Sequence, residues 1–173
     1  AAGNMSTLNC PEEVWLAERL IQLHPWAEMV RFARSGGEAN AISIRIARAA
    51  TGKDKVAFCG YHGWHDWYLS ANLNKKGNLD QHLLKDLSTQ GVPKELKNTV
   101  FPFEYGNHNQ FLNIIKKHNI GIVKMEVARN LSPDLKFLKF IRQECSKNKI
   151  ILIFDECTSG FRQNFGGMHK ILK

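Results

Sequence analysis

The stretch IILIFDECTSGFR, from Ile150 to Arg162, decides how the rest of the chain is interpreted. Its first five residues are all apolar, a pattern typical of a strand that is buried on both faces of a sheet. Asp155 and Glu156 follow at once, so the chain delivers two carboxylates to the end of a buried strand. A solvated turn is one explanation, because Asp is common in turns. A functional carboxylate is the other, and the residues at the remaining strand ends distinguish the two.

Segments typical of strands alternate with segments typical of helices along the whole chain. The strand-like runs before the opening stretch are MVRFARSGG (29–37), KVAFCGYHG (55–63), TVFPF (99–103) and IGIVKMEV (120–127). Apolar spacing and capping residues predict helices over 11–23, 38–50 and 110–118, a short helix at 79–87, and a last helix opened by 132–134. This alternation predicts an α/β fold with a mostly parallel sheet and helices on both of its faces.

Polar or aromatic residues follow four of the predicted strands. They are Ser35, Gly36 and Gly37 after the first, Tyr61 and His62 after the second, Glu126 to Asn130 after the fourth, and Asp155 with Glu156 after the fifth. Ligands collect at the carboxyl ends of parallel strands, so we expect these residues to form one site. The two glycines between a strand and a helix expose backbone N–H groups at a positive helix end, which suits a phosphate. Dinucleotide and nucleoside-triphosphate binding have no support, since the chain contains neither GxGxxG nor GxxxxGK[ST].

Composition limits the other classes of function. The 173 residues are 43% hydrophobic, enough for one domain with a core, and no apolar run approaches the length of a membrane span. Four cysteines without CxxC or disulfide-like spacing predict free thiols and a cytoplasmic location. The net charge of +8 raises the alternative of a nucleic-acid-binding domain. That alternative is weak, because the lysines are spread thinly and no nucleic-acid-binding motif accompanies them.

Three ordered motifs resemble the class III pyridoxal-phosphate-dependent aminotransferases, especially their glutamate-1-semialdehyde 2,1-aminomutase branch. Residues 29–66 are similar to the family's strand ending in S-G-[TS]-E-A, with its helix, T-G-R-x-K, strand and Y-H-G. Residues 91–107, GVPKELKNTVFPFEYGN, resemble the G-V-P…T…Y-N-D region. Residues 150–167, IILIFDECTSGFRQNFGG, resemble L-I-F-D-E-V-x-[TS]-G-F-R…G-G. The resemblance extends over nearly the whole chain.

The resemblance implies a fold-type I transferase with pyridoxal 5'-phosphate as cofactor. Residues 1–173 would be part of its large, cofactor-binding domain, with the N-terminal segment, the Schiff-base lysine region and the C-terminal small domain outside this chain. The implied activity is the transfer or internal shift of an amino group on an amino/keto or semialdehyde substrate, through a cofactor aldimine. A homodimer is implied as well. A non-catalytic interaction module of the same fold, without the Schiff-base lysine, is the alternative, because Lys170 and Lys173 stand in the wrong context for that lysine.

The family's motifs also assign roles to single residues. Asp155 resembles the catalytic aspartate that meets the pyridine nitrogen and keeps it protonated. Ser35, Gly36 and Gly37 would hold the cofactor phosphate, and Tyr61 would stack on the pyridine ring. These roles predict one cofactor site along the carboxyl edge of the sheet.

Four further positions complete the expected site. His62, beside Tyr61, is either a cofactor contact or a structural core histidine. Glu126 and Asn130 would lie near the phenolic oxygen of the cofactor and Asp155, and Thr158 would face that same oxygen. The chain departs from the family pattern at Gly37, which replaces Ser or Thr, and in EVARN, which replaces E-P-V and shifts the asparagine. A metal site on Cys59, His62 and His65 is a weak alternative, because no second pair of ligands accompanies them.

Overall fold

The computed structural model describes residues 10–129, 132–162 and 164–171. Within these residues, four strands form one parallel sheet in the spatial order β2-β1-β3-β4. The strands are β1 Lys55–Cys59, β2 Val100–Pro102, β3 Ile120–Glu126 and β4 Ile151–Asp155. The helices are α1 Pro11–Leu23, α2 Gly36–Thr51, α3 Asp66–Leu69, α4 Ala71–Asn74, α5 His108–Lys117 and α6 Leu135–Lys147, with 3₁₀ turns at Lys94–Leu96 and Met168–Ile171. The predicted α/β fold with a parallel sheet is confirmed.

Helix α2 begins where its sequence contains a capping residue. The Ser35 hydroxyl accepts a hydrogen bond from the backbone N–H of Glu38 at 3.3 Å. This bond satisfies one of the free N–H groups in the first turn of the helix. Gly52, with φ of 64°, ends the helix in the left-handed conformation that favours glycine. The cap fixes the positive end of α2 at residues 35–37, immediately after the segment that leads into it.

Helices cover both faces of the sheet, as predicted. One core contains side chains of α2, α3 and α4 against Val56, Phe58 and Ile122 of the strands. The other core contains side chains of α5 and α6 against Ala57, Val123 and Met125. All seven residues of β3 are buried, because it is a central strand with packed helices on either side. None of the helices in the described part of the chain is long and apolar enough to cross a membrane.

Strand β4 is less buried than its apolar sequence predicts. Its side chains contact both cores, since Ile151 and Ile153 pack on one side and Leu152 and Phe154 on the other. These four residues nevertheless remain partly exposed. Among the described residues β4 pairs only with β3, so its second edge has no strand beside it. Both faces of β4 therefore contact a core, as predicted, but its apolar side chains are only partly buried.

Two predicted elements are wrong. Residues 29–34 are not a strand, and Met29 is 85% exposed. This segment has no neighbouring strand among the described residues, and a strand needs a partner for its backbone hydrogen bonds. Residues 79–87 form turns instead of a helix. There the Asn72 side chain binds the Leu79 N–H and the Leu87 carbonyl, at 3.0 and 2.8 Å, so one amide group holds both ends of the segment. A helix over these residues would place its ends about 12 Å apart, too far for that amide to reach both.

Candidate active site

Two carboxylates lie side by side at the carboxyl edge of the sheet. Asp155 is the last residue of β4 and stands in register with Glu126, the last residue of β3. Both are buried, with 7% and 6% of their surface exposed. Because buried carboxylates are costly unless they are paired or hydrogen-bonded, their partners identify what each one does.

His62 is the partner of Asp155. Its Nδ1 lies 2.8 Å from Asp155 Oδ2, and its Nε2 lies 3.1 Å from the carbonyl oxygen of Cys59. The imidazole is fully buried. A carboxylate and a carbonyl are both acceptors, so the ring satisfies both only when each nitrogen carries a hydrogen. The geometry therefore describes a buried imidazolium paired with a carboxylate, and His62 is both a core residue and a contact of Asp155.

Asp155 remains ionised in this environment. Burial alone raises the pKa of its carboxyl group, but the hydrogen bond and charge of His62, the charge of Lys124 and the Cys157 N–H lower the pKa to about 2. The Cys157 N–H donates to Asp155 Oδ1 at 3.0 Å. Each carboxylate oxygen thus accepts one hydrogen bond within the chain and can accept a second one. Asp155 is a fixed negative charge with room for another donor.

The N-terminus of α2 lies beside this carboxylate. Ser35 and Gly36 line a cavity of about 510 Å³ that Asp155 also lines. A Cβ atom on Gly37 would lie 2.7 Å from the His65 ring, so a side chain cannot be placed there without moving that ring. Gly37, which stands where the family pattern has Ser or Thr, thus leaves room for the His65 ring in its present position. Free N–H groups at a helix N-terminus favour an anion, and the chain places them next to Asp155.

Glu126 is bound by groups of two neighbouring loops. Its Oε2 accepts hydrogen bonds from the Tyr61 N–H at 3.1 Å and from Arg129 Nε at 2.9 Å, and its Oε1 is paired with Arg129 Nη2. The Arg129 guanidinium lies 5.9 Å from the centre of the Tyr61 ring. Glu126 thus connects the turn after β1 to the loop after β3. Sequence reasoning missed Arg129, although a cation three residues after a strand-end carboxylate is a recognisable signal.

Thr158 connects the loops after β3 and β4. Its hydroxyl donates to the carbonyl oxygen of Ala128 at 3.2 Å. Asn130, expected near the phenolic oxygen of a cofactor together with Glu126 and Thr158, lies outside the described residues. The roles of both residues toward a cofactor stay predictions.

Comparisons with known proteins agree on one family, although no family model matches the chain. Glutamate-1-semialdehyde 2,1-aminomutase of Methanobrevibacter smithii is 38% identical over 163 residues, which cover 90% of this chain and 37% of that protein. A 3-aminobutyryl-CoA aminotransferase of Cloacimonas acidaminovorans is 32% identical over 164 residues, or 90% of this chain and 36% of that protein. The chain belongs to the class III pyridoxal-phosphate-dependent aminotransferase family. It spans little more than a third of the length of these relatives.

Solved structures agree with the fold-type I assignment. An omega-transaminase from Sphaerobacter thermophilus superimposes with a TM-score of 0.80 and 26% sequence identity. The superposition covers 96% of this chain and 40% of that transaminase. The strand order and the helices on both faces are therefore those of a partial class III aminotransferase domain.

The structure brings together some of the expected residues of this family but not all of them. Ser35, Gly36 and Asp155 line one cavity. His62 is hydrogen-bonded to Asp155, and Glu126 is hydrogen-bonded to the turn that contains Tyr61. Lys124 lines the same cavity as Asp155 and was missed, although a lysine within the apolar run IGIVKMEV is the signal for it. Lys170 does not line this cavity.

Proposed function

We propose that the chain forms part of the cofactor-binding domain of a pyridoxal-phosphate-dependent aminotransferase or aminomutase. The observation that carries the proposal is the buried pair of Asp155 and His62 at the carboxyl edge of the sheet, beside the N-terminus of α2. Solved structures of this fold include a transaminase with PLP bound. The donor set here fits that cofactor, because it offers a carboxylate to a protonated ring nitrogen and helix N–H groups to a phosphate.

Each residue has a distinct task in this proposal. Asp155 accepts a hydrogen bond from the ring nitrogen and holds the proton on it, and His62 keeps the carboxylate ionised and fixes its orientation. Ser35 and the N–H groups of Gly36 and Gly37 bind the phosphate. The bound cofactor supplies an electron-accepting pyridinium ring to the chemistry at the substrate amine.

The residues after β1 and β3 form the other side of the proposed site. Tyr61 offers an aromatic face to the ring, and its backbone is fixed by Glu126. Arg129 neutralises Glu126, which leaves Asp155 as the carboxylate that meets the ring nitrogen in this proposal. Thr158 keeps the loop after β4 next to the loop after β3.

We also propose the substrate class, the assembly and the location. An amino/keto or semialdehyde substrate agrees with the aminomutase and the aminotransferase among the relatives. A homodimer is supported by apolar side chains that α1 exposes, namely Val14, Trp15 and Leu16. A cytoplasmic location is supported by the four free cysteines.

The test is Asp155→Asn in the full-length protein. A neutral amide cannot hold the ring nitrogen protonated, so turnover falls by about a thousandfold or more while the fold is retained. Asp134→Asn is the matched control, because Asp134 caps α6 and Asn caps a helix equally well. Turnover within a few-fold of wild type, with the cofactor bound normally, would contradict the role of Asp155. Cofactor binding without any turnover in the wild-type protein would favour the non-catalytic module.

A further inference from the structure

Lys124 is a buried cation in the middle of β3. Its side chain and backbone together are only 2% exposed, and its Nζ lies 3.1 Å from the Ser43 hydroxyl on α2. Among the described residues no carboxylate oxygen lies within 4.0 Å of this ammonium group. An ammonium has three donors, and buried lysines are rare unless they are paired. Burial without a nearby carboxylate therefore destabilises the protonated form of Lys124.

Four other titratable or charged groups line the cavity that Lys124 lines, from the segments packed around it. They are Arg34, Asp155, Glu156 and Cys157. The Glu156 carboxylate is already hydrogen-bonded to the backbone N–H groups of Met168 and His169. Arg34 is exposed to solvent. Asp155 is thus the negative charge that acts on Lys124 inside the cavity, and the α2 residues that face Lys124 are neutral.

A chain of hydrogen bonds also connects Lys124 to the partner of Asp155. The Ser43 hydroxyl donates to the Asn40 carbonyl at 2.8 Å, and Asn40 Nδ2 donates to the His62 carbonyl at 3.2 Å. Since Ser43 uses its hydrogen on Asn40, its oxygen is free to accept from Lys124. Lys124 and His62 are therefore two basic residues that are hydrogen-bonded to the same helix, and both act on the charge of Asp155.

We propose that Lys124 shares the charge of Asp155 with the pyridinium nitrogen of the cofactor, so that cofactor binding expels a proton from Lys124 into solvent. This inference rests on the proposed function. The pyridinium keeps its own proton, and the ammonium of Lys124 becomes a neutral amine that still donates to Ser43. Like charges near one buried carboxylate disfavour each other, and the group that holds its proton least tightly loses it. Burial lowers the pKa of Lys124 to about 8, against the attraction of Asp155.

Calorimetry of pyridoxamine 5'-phosphate binding to the full-length protein tests this exchange. The probe has the same ring and phosphate as the cofactor, and its amine cannot condense with a lysine. Titrations at pH 7.5 in two buffers of different ionisation enthalpy give the number of protons released. Roughly three quarters of Lys124 is charged at that pH. The wild-type protein should therefore release between about 0.2 and 0.7 protons more than Lys124→Met, and the difference should vanish at pH 9.5.

Two further variants serve as a charge-retaining comparison and as a control. Lys124→Arg stays charged at both pH values, so it should release no extra proton and should bind the probe several-fold more weakly than wild type at pH 9.5. Lys139→Met removes an exposed lysine on α6 and should behave as wild type. Equal proton release by wild type, Lys124→Met and Lys124→Arg, with all three binding the probe, would overturn this inference alone. Failure of the wild-type protein to bind the probe would overturn the proposed cofactor site as well.

Discussion

The pair formed by Asp155 and His62 makes a quantitative prediction about stability. The perturbations are Asp155→Asn, His62→Gln and the double variant, compared in a thermodynamic cycle. The two side chains come from positions 93 residues apart in the sequence, so the cycle measures a long-range contact. The two acceptors around His62 require an ionic pair. The losses of unfolding free energy in the two single variants should therefore add up to more than the loss in the double variant.

The expected magnitude follows from the pKa of Asp155. The carboxyl pKa is lowered from 3.8 to about 2 in the folded chain, and each pKa unit corresponds to about 1.36 kcal/mol. Because the folded-state pKa is depressed, the group contributes about 2 kcal/mol above pH 3.8 and loses this contribution as the pH falls toward 2. Asp155→Asn also leaves a buried imidazolium without its counter-ion. We therefore expect a loss of about 2–4 kcal/mol and a coupling of at least about 1.5 kcal/mol.

Urea unfolding at pH 7 and at pH 2 is the assay. Trp67 stacks on the His62 ring, with 6.0 Å between ring centres and 29° between planes, so one of the four tryptophans that contribute to the fluorescence signal lies at the contact. Circular dichroism supplies a second, global probe. Asp134→Asn should leave stability nearly unchanged at both pH values. A coupling below about 0.5 kcal/mol at pH 7, or a coupling that persists at pH 2, would refute the ionic pair.

Two further predictions concern Lys124 and α1. The pKa of Lys124 is lowered by burial from 10.5 to about 8, so the unfolded chain binds this proton more tightly. Stability should therefore rise by up to roughly 3 kcal/mol between pH 8 and pH 10.5, and urea unfolding of Lys124→Met should show no such rise. The 173-residue chain should self-associate in light scattering, because Trp15 and Leu16 of α1 are exposed. A clean and stable monomer would contradict that expectation.

Sequence periodicity predicted most of the fold because it depends on local patterns. The alternation of strands and helices identified β1 to β4, α1, α2, α5 and α6, and the residues 132–134 located the start of α6. The prediction of a strand over residues 29–34 is wrong, because the pattern of a segment does not show whether a partner strand exists. A strand exists only when a second strand accepts its hydrogen bonds, and no neighbour of this segment lies among the described residues. Residues 79–87 failed because Asn72, outside that window, binds their backbone.

The candidate site was predictable in position but not in its internal contacts. Residues at the carboxyl ends of parallel strands must lie at one edge, so Asp155, Glu126 and Tyr61 could be grouped from the sequence. Which donor serves which carboxylate depends on side-chain directions across elements. Glu126 is bound by Arg129 and by the Tyr61 backbone, and Asp155 by His62. The spacing of Glu126 and Arg129 is a signal for their pairing, but no spacing rule connects His62 with Asp155, 93 residues away.

The charges around Asp155 explain why a buried strand in this chain can end in a carboxylate. Desolvation destabilises the ionised form of Asp155, and its neighbours must offset that cost. Here His62 binds one oxygen, the Cys157 N–H binds the other, and Lys124 adds a positive charge from within the same cavity. The carboxylate is therefore more than compensated before any ligand arrives. A protonated ring nitrogen that enters this site adds a third positive charge, so the least firmly bound proton must leave. That requirement makes Lys124, and not Asp155 itself, the group whose protonation should change when the site is filled.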